Sequence, residues 1–275
     1  MSAPLKLAGF AALLVLVFGA AIAAGDVIGP DREGAAKQRA EQPPAHGAMG
    51  VPDGGMAEGH GGEAAAIRGL SVAEGGLSLE VAQTSPELVF SVVEDGKPVR
   101  DFDVEHEKRM HAIVVRRDGT GFQHLHPELG DDGAWRVPLT LSEPGTYRVF
   151  ADFSHDGTAY TLATDFSVDG AATYRDFPAP SSVDTPDGYD VQLRAEGEEL
   201  TFDITRDGQP ITTEPYLGAG GHLVALREGD LAFLHVHPND DGEVAFEASL
   251  DPDTRYGLYL QFKHEGRVHT AEFTR

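Results

Sequence analysis

The chain has 275 residues, with 21 Lys plus Arg against 45 Asp plus Glu and a formal charge of −24. Such a surface repels phosphate backbones and speaks against a nucleic-acid partner. There is no cysteine, which excludes disulfides, thiolate metal sites and cysteine nucleophiles.

Residues 7–25 form a nearly unbroken apolar run without a charged side chain, preceded by Lys6. About 20 such residues cross a bilayer core as a helix, and a lone preceding cation suits a cytoplasmic N-terminus. Two readings are open for residues 1–30: an uncleaved membrane anchor, or a signal peptide cut after Ala21-Ile22-Ala23. Both export the rest of the chain, either anchored at the cell membrane with its domains outside the cytoplasm or secreted after cleavage near Ala23.

Residues 31–68 are rich in Gly, Ala, Glu and Pro and lack an apolar period, the composition of a flexible, disordered tether. His46, Met49, Met56 and His60 lie within it. Imidazole and thioether together suit copper, the thioether favouring the cuprous ion.

From residue 69 to 170 the chain reads as short strands separated by turn dipeptides: Asp95-Gly96, Asp118-Gly119, Asp132-Gly133, Pro144-Gly145 and Asp156-Gly157. About seven strands over roughly 100 residues predict an antiparallel β-sandwich, immunoglobulin-like or cupredoxin-like. Residues 171–188, with Pro178, Pro180 and Pro186, read as an interdomain linker. The same strand pattern restarts over 189–275, so the expected fold is all-β, with two tandem sandwiches.

The duplication is clearest at the histidines. Phe122-Gln123-His124-Leu125-His126-Pro127 returns as Phe233-Leu234-His235-Val236-His237-Pro238. His111 precedes His124 by the interval that separates His222 from His235, and His155 and His264 follow in the frames Ser-His-Asp-Gly and Lys-His-Glu-Gly. On a strand His124 and His126 point to one face, with Cα atoms roughly 6.8 Å apart. A short turn joins the His111 strand to theirs, so a hairpin brings His111 alongside.

Two quartets are therefore expected as metal sites: His111, His124, His126 and His155, then His222, His235, His237 and His264. The first repeat adds His106 and Met110, where the second has Leu217 and Gly221. All-nitrogen sites accept zinc, cupric copper and nickel, with copper favoured by raw affinity. The competing reading is that the histidines are structural or pH-sensing, in a module that binds another envelope protein.

An enzyme is not expected. Ser154-His155-Asp156 are consecutive on a turn and cannot relay a proton as spatially arranged triad members do. No Gly-x-Ser-x-Gly, His-Glu-x-x-His or phosphate-loop pattern is present.

The phrase His106-Glu107-Lys108-Arg109-Met110-His111-Ala112-Ile113-Val114-Val115, followed by His124-Leu125-His126-Pro127 and Tyr147-Arg148-Val149-Phe150-Ala151-Asp152-Phe153, resembles exported actinobacterial-type heavy-metal-associated proteins. Together with the anchor and the His/Met-containing tether, it also resembles the broad group of CopC-like and YtkA-like copper-handling domains. The resemblance implies a β-sandwich protein that binds or traffics copper, with zinc second, outside the cytoplasm. A membrane copper transporter or another envelope protein is the implied partner. The lack of cysteine removes blue-copper ligation.

Overall fold

A computed structural model describes residues 67–234, 236–238 and 244–275 of the chain, excluding the side chain of His237. The first sandwich contains β1 (Ala73–Glu74), β2 (Leu77–Thr84), β3 (Glu87–Glu94), β4 (Lys97–Pro98), β5 (His111–Arg116), β6 (Gln123–Leu125), β7 (Glu128–Leu129), β8 (Trp135–Pro138), β9 (Gly145–His155) and β10 (Thr158–Val168). The second contains β11 (Val183–Asp184), β12 (Tyr189–Glu196), β13 (Glu199–Arg206), β14 (Gln209–Pro210), β15 (His222–Arg227), β16 (Phe233–Leu234), β17 (His237–Pro238), β18 (Ala245–Glu247), β19 (Tyr256–His264) and β20 (Arg267–Thr274). All the strand pairings are antiparallel. The expected N-terminal helix lies outside the described residues. Among the described residues no helix is long and apolar enough to cross a membrane.

Each sandwich joins a six-stranded sheet to a four-stranded one, and the two repeats share one topology. In the first, β1-β2-β3-β8-β7, with β4 beside β3, faces β10-β9-β5-β6. In the second, β11-β12-β13-β18-β17, with β14 beside β13, faces β16-β15-β19-β20. β11 falls within the stretch that reads as linker from composition, so that linker ends inside a sheet edge. At the other boundary, Arg68 exchanges main-chain hydrogen bonds with Phe233 at 3.3 and 3.0 Å. The stretch expected to be tether thus reaches structured chain before its end.

Side-chain alternation explains why the four-stranded sheets lie between the two cores. In β5, Ala112 and Val114 point into the first core, while Ile113 and Val115 join Phe150, Ala163, Val224, Leu226, Leu231, Phe233 and Tyr259 in a third cluster that draws on both sandwiches. In β15, Leu223 and Ala225 serve the second core, and their neighbours serve the shared one. A strand buried on both faces has no polar alternation, hence the nearly continuous apolar runs at 112–115 and 223–226. The Phe122 and Tyr259 rings stack across the junction at 4.1 Å and 6°, and the Tyr259 hydroxyl donates to the Gly119 carbonyl at 2.6 Å.

Gly69 sits between a side chain of each sandwich. Its φ is +68°, and an added Cβ would lie 2.7 Å from Phe150 Cε1 and 2.9 Å from Phe233 Cβ. Its carbonyl accepts two hydrogen bonds from the Arg148 guanidinium, at 3.1 and 2.9 Å. Gly69→Ala combines a left-handed backbone with a clash against both halves. It is expected to cost about 1–3 kcal/mol, read as a lower melting midpoint in calorimetry.

Candidate metal centre

The shared face that buries Ile113 and Val115 carries histidines at its end. β5 and β6 pair with Ile113 opposite His124 and Ala112 opposite Leu125, so the register runs on to set His126 beside His111. The His111 ring lies 5.2 Å from both His124 and His126, and His124 and His126 are 4.8 Å apart, centroid to centroid. His222 opens β15 in the second sandwich and faces this group. Its ring is 4.8 Å from His124 and stacks on His111 at 5.6 Å, with planes 4° apart. One ring nitrogen from each of His111, His124 and His222 lies within 4.8 Å of the other two. His111 and His124 are buried, whereas His126 and His222 are half-buried.

The outer hydrogen bonds favour one tautomer at each ring, with the Gln261 amide oxygen turned toward His124. His111 Nε2 lies 3.2 Å from the Glu105 main-chain oxygen, which only accepts, so this nitrogen donates. His124 Nδ1 lies 2.8 Å from Gln261 Oε1 on β19 of the other sandwich, so it also donates. The remaining nitrogens, His111 Nδ1 and His124 Nε2, then face each other as lone pairs at 3.0 Å. Moving the His111 proton to Nδ1 would leave its Nε2 lone pair against the Glu105 carbonyl.

A positive charge on either ring would relieve the repulsion, but burial opposes it. Desolvation, opposed by Asp152 and the Glu105 carbonyl and reinforced by His126 and His106, lowers His111 to about 4. Desolvation, then the neighbouring His222, His111 and His126, holds His124 well below the ordinary histidine value. Desolvation and then Lys108 lower His126 to about 4, and its buried Nε2 has no hydrogen-bond partner among the described residues.

This donor set fits a transition-metal ion. Nitrogens bound to one tetrahedral ion at about 2.0–2.1 Å stand about 3.3 Å apart, close to the 3.0 Å between His111 Nδ1 and His124 Nε2, with a His222 nitrogen within 4.8 Å of both. Backbone and amide oxygens on the far ring nitrogens are the usual outer contacts of metal-bound histidines. Desolvation raises the carboxyl of Asp152, which pairs with His111 across β5 and β9; ionised, it would offset part of an added positive charge.

Among the described residues the expected ligands divide differently from the two quartets. His111, His124 and His126 come together, but His222 joins them across the junction. His106 lies nearby, 6.2 Å from His111 and 5.7 Å from His222. Met110 does not belong to the site: it is 1% exposed inside the first hydrophobic core, because the residue before a core-averted histidine points the other way.

His155 is also misplaced by the quartet reading. It stands three residues beyond Asp152, about 10 Å along β9, with Nδ1 2.7 Å from the Asp101 carbonyl oxygen and its ring beside Phe102. His264 lies as far beyond Gln261, with Nδ1 2.8 Å from the Tyr189 hydroxyl. Both are copied by duplication as strand-end residues with local hydrogen bonds. His235 and the His237 side chain lie outside the described residues, as do the tether residues His46, Met49, Met56 and His60.

Gln261 and Asp152 are the site residues that motif reading passes over. Aligning His155 on His264 places both three positions earlier in their repeats. An Asp in one copy and a Gln in the other thus occupy one position of the repeat, three residues before a shared histidine.

Several solved structures share a loose likeness. A segment of two fibronectin type-III domains from chicken tenascin is 13% identical, with 72% of this chain and 97% of that chain covered and a TM-score of 0.22. The chicken CNTN1 FN1-FN3 domains are 12% identical, with coverage of 71% and 65% and a TM-score of 0.20. The BSP domain of a biofilm associated protein is 14% identical, with coverage of 71% and 28% and a TM-score of 0.22. Likenesses at these TM-scores carry no argument about function. No curated protein matches the chain. The family pattern described as "Domain of unknown function (DUF8832)" matches residues 67–170 and 183–275, and the chain belongs to that family.

Proposed function

We propose that this protein binds a transition-metal ion, copper first and zinc second, at one site shared by its two sandwiches. His111, His124 and His222 would hold the ion, with His126 as a further donor at the rim. The observation that carries this reading is the pair of buried ring nitrogens, His111 Nδ1 and His124 Nε2, 3.0 Å apart, whose rings have both committed their protons elsewhere. All-imidazole donors favour copper by the ordinary affinity order and accept zinc. The place of action would be outside the cytoplasmic membrane, where the N-terminal segment would deliver the domains. The recipient or supplier of the ion would be a membrane copper transporter or another envelope protein.

The bound ion would supply positive charge between facing lone pairs. The chain's own residues do the positioning: Glu105 and Gln261 hold the ring planes, and the shared apolar cluster keeps the halves in register. The decisive experiment is metal stoichiometry on the full chain after dialysis against copper or zinc, with and without His124→Ala. One ion per chain, lost in the variant, is expected; two would divide the site between the repeats. The melting temperature of chelator-treated protein should also rise when copper returns, because an ion that binds only the native state stabilises it. No uptake and no shift would leave the envelope interaction module as the standing reading.

A further inference from the structure

The turn that carries His106 places two successive non-glycine residues in the left-handed region. Glu105 and Lys108 exchange main-chain hydrogen bonds at 2.8 and 2.9 Å around the two-residue turn His106-Glu107. Both turn residues have positive φ, +47° and +64°. The second repeat makes the same turn with Leu217 and Gly218, at +56° and +82°, bracketed by Tyr216 and Ala219. Turns of this type favour Asn-Gly or Asp-Gly, because only short polar or Cβ-free residues enter the left-handed region at little cost. The second repeat has glycine at its second turn position. The first uses His-Glu, keeping the strain and gaining an imidazole.

That imidazole stands at the edge of the histidine group. His106 is half-buried, outside the three nitrogens that converge but beside a donor from each sandwich, His111 and His222. The turn is tied to the interior through one atom: the Glu105 carbonyl oxygen that closes the hairpin also accepts from His111 Nε2 at 3.2 Å. The main chain under His106 is therefore fixed relative to the inner ligands. The matching residue of the second repeat, Leu217, is 3% exposed and has no donor atom, so the two sides of the site are not equivalent.

We propose that His106 is the exchange ligand of this site. It binds the incoming ion at this edge, passes it to His111, His124 and His222, and takes it back on release. The proposal rests on the metal reading above. Its physical basis is stepwise substitution: an ion held by several imidazoles leaves slowly when all the bonds must break together. It leaves faster when each broken bond is replaced by one to a donor already at the edge. The proton balance is the same by either route, since only the order in which the same nitrogens bind the ion differs.

The test is stopped-flow copper(II) uptake by the full chain, followed by release to excess EDTA, for wild type, His106→Asn and Glu107→Gly. Asn suits the left-handed backbone and removes the imidazole; Gly relaxes the turn and keeps it. For His106→Asn, uptake and release should both slow by about tenfold while the dissociation constant changes less than about threefold, since both directions share the lost step. Glu107→Gly should behave as wild type.

Unchanged rates in His106→Asn would overturn the proposal. So would a loss of affinity of about a hundredfold with faster release, which marks a resident ligand. Equal slowing in Glu107→Gly would assign the effect to the turn instead and also overturn it. A wild-type chain that takes up no copper removes the metal reading itself, a result separable from the others before any variant is made.

Discussion

His222→Ala, a single change in the second sandwich, is expected to abolish tight copper binding by donors that otherwise lie in the first. His222 faces His124 at 4.8 Å and stacks on His111 at 5.6 Å, so under the proposed function it would be the donor that joins the two sandwiches. Structural sites with four ligands hold an ion with about 10–16 kcal/mol of apparent free energy, so one ligand carries roughly 3 kcal/mol. At about 1.4 kcal/mol per tenfold, the loss is about a hundredfold or more. Chelator competition on the full chain measures it. His264→Ala is the contrasting variant: it removes a partner of the Tyr189 hydroxyl and should leave copper affinity unchanged. Two independent quartets would give another result, with His222→Ala sparing the ion of the first repeat and His264→Ala weakening that of the second.

Metal-free protein should lose stability as the pH falls from about 6.5 toward 4, and copper should suppress the loss. Burial lowers His111 and His126 to about 4 in the folded chain, whereas an unfolded histidine takes its proton near 6.5. Between those values the unfolded chain binds more protons, so stability rises with pH across the window. The contribution is complete above about 6.5 and is lost as the pH falls to the folded value. At pH 5 one such histidine removes about 2 kcal/mol. Urea unfolding of chelator-treated protein at pH 7.0 and 5.0 measures the difference. An unchanged midpoint would mean that the rings are protonated at no cost, contrary to their burial. With copper bound, protons must compete with the ion for the same lone pairs, so the decline should begin at lower pH.

The hairpin at the heart of the site was readable from its residues. A short turn between the His111 run and the Phe122-Gln123-His124-Leu125-His126 run implies antiparallel pairing, and a period of two puts His124 and His126 on one side. The same period should have removed Met110, because the neighbour of an outward histidine faces the core. Duplication by itself does not bring His155 to His111 or His264 to His222. His155 and His264 recur because the end of a long hairpin recurs, and each is satisfied by a local partner. The apolar runs at 112–115 and 223–226 carried a further signal: strands so poor in polar residues are covered on both faces, so another layer had to lie over them.

By itself, the sequence determined the strand periodicity, the turns, the tandem repeat and the residues that share a face, all properties of neighbours along the chain. Only the tertiary structure decided which faces meet. The docking of one four-stranded sheet on the other depends on how Phe150, Phe233, Phe122 and Tyr259 fit together, a matter of shape between segments distant in sequence. That fit brings His222 and Gln261 to His111 and His124. It draws a histidine of the second repeat into the group that His111, His124 and His126 form.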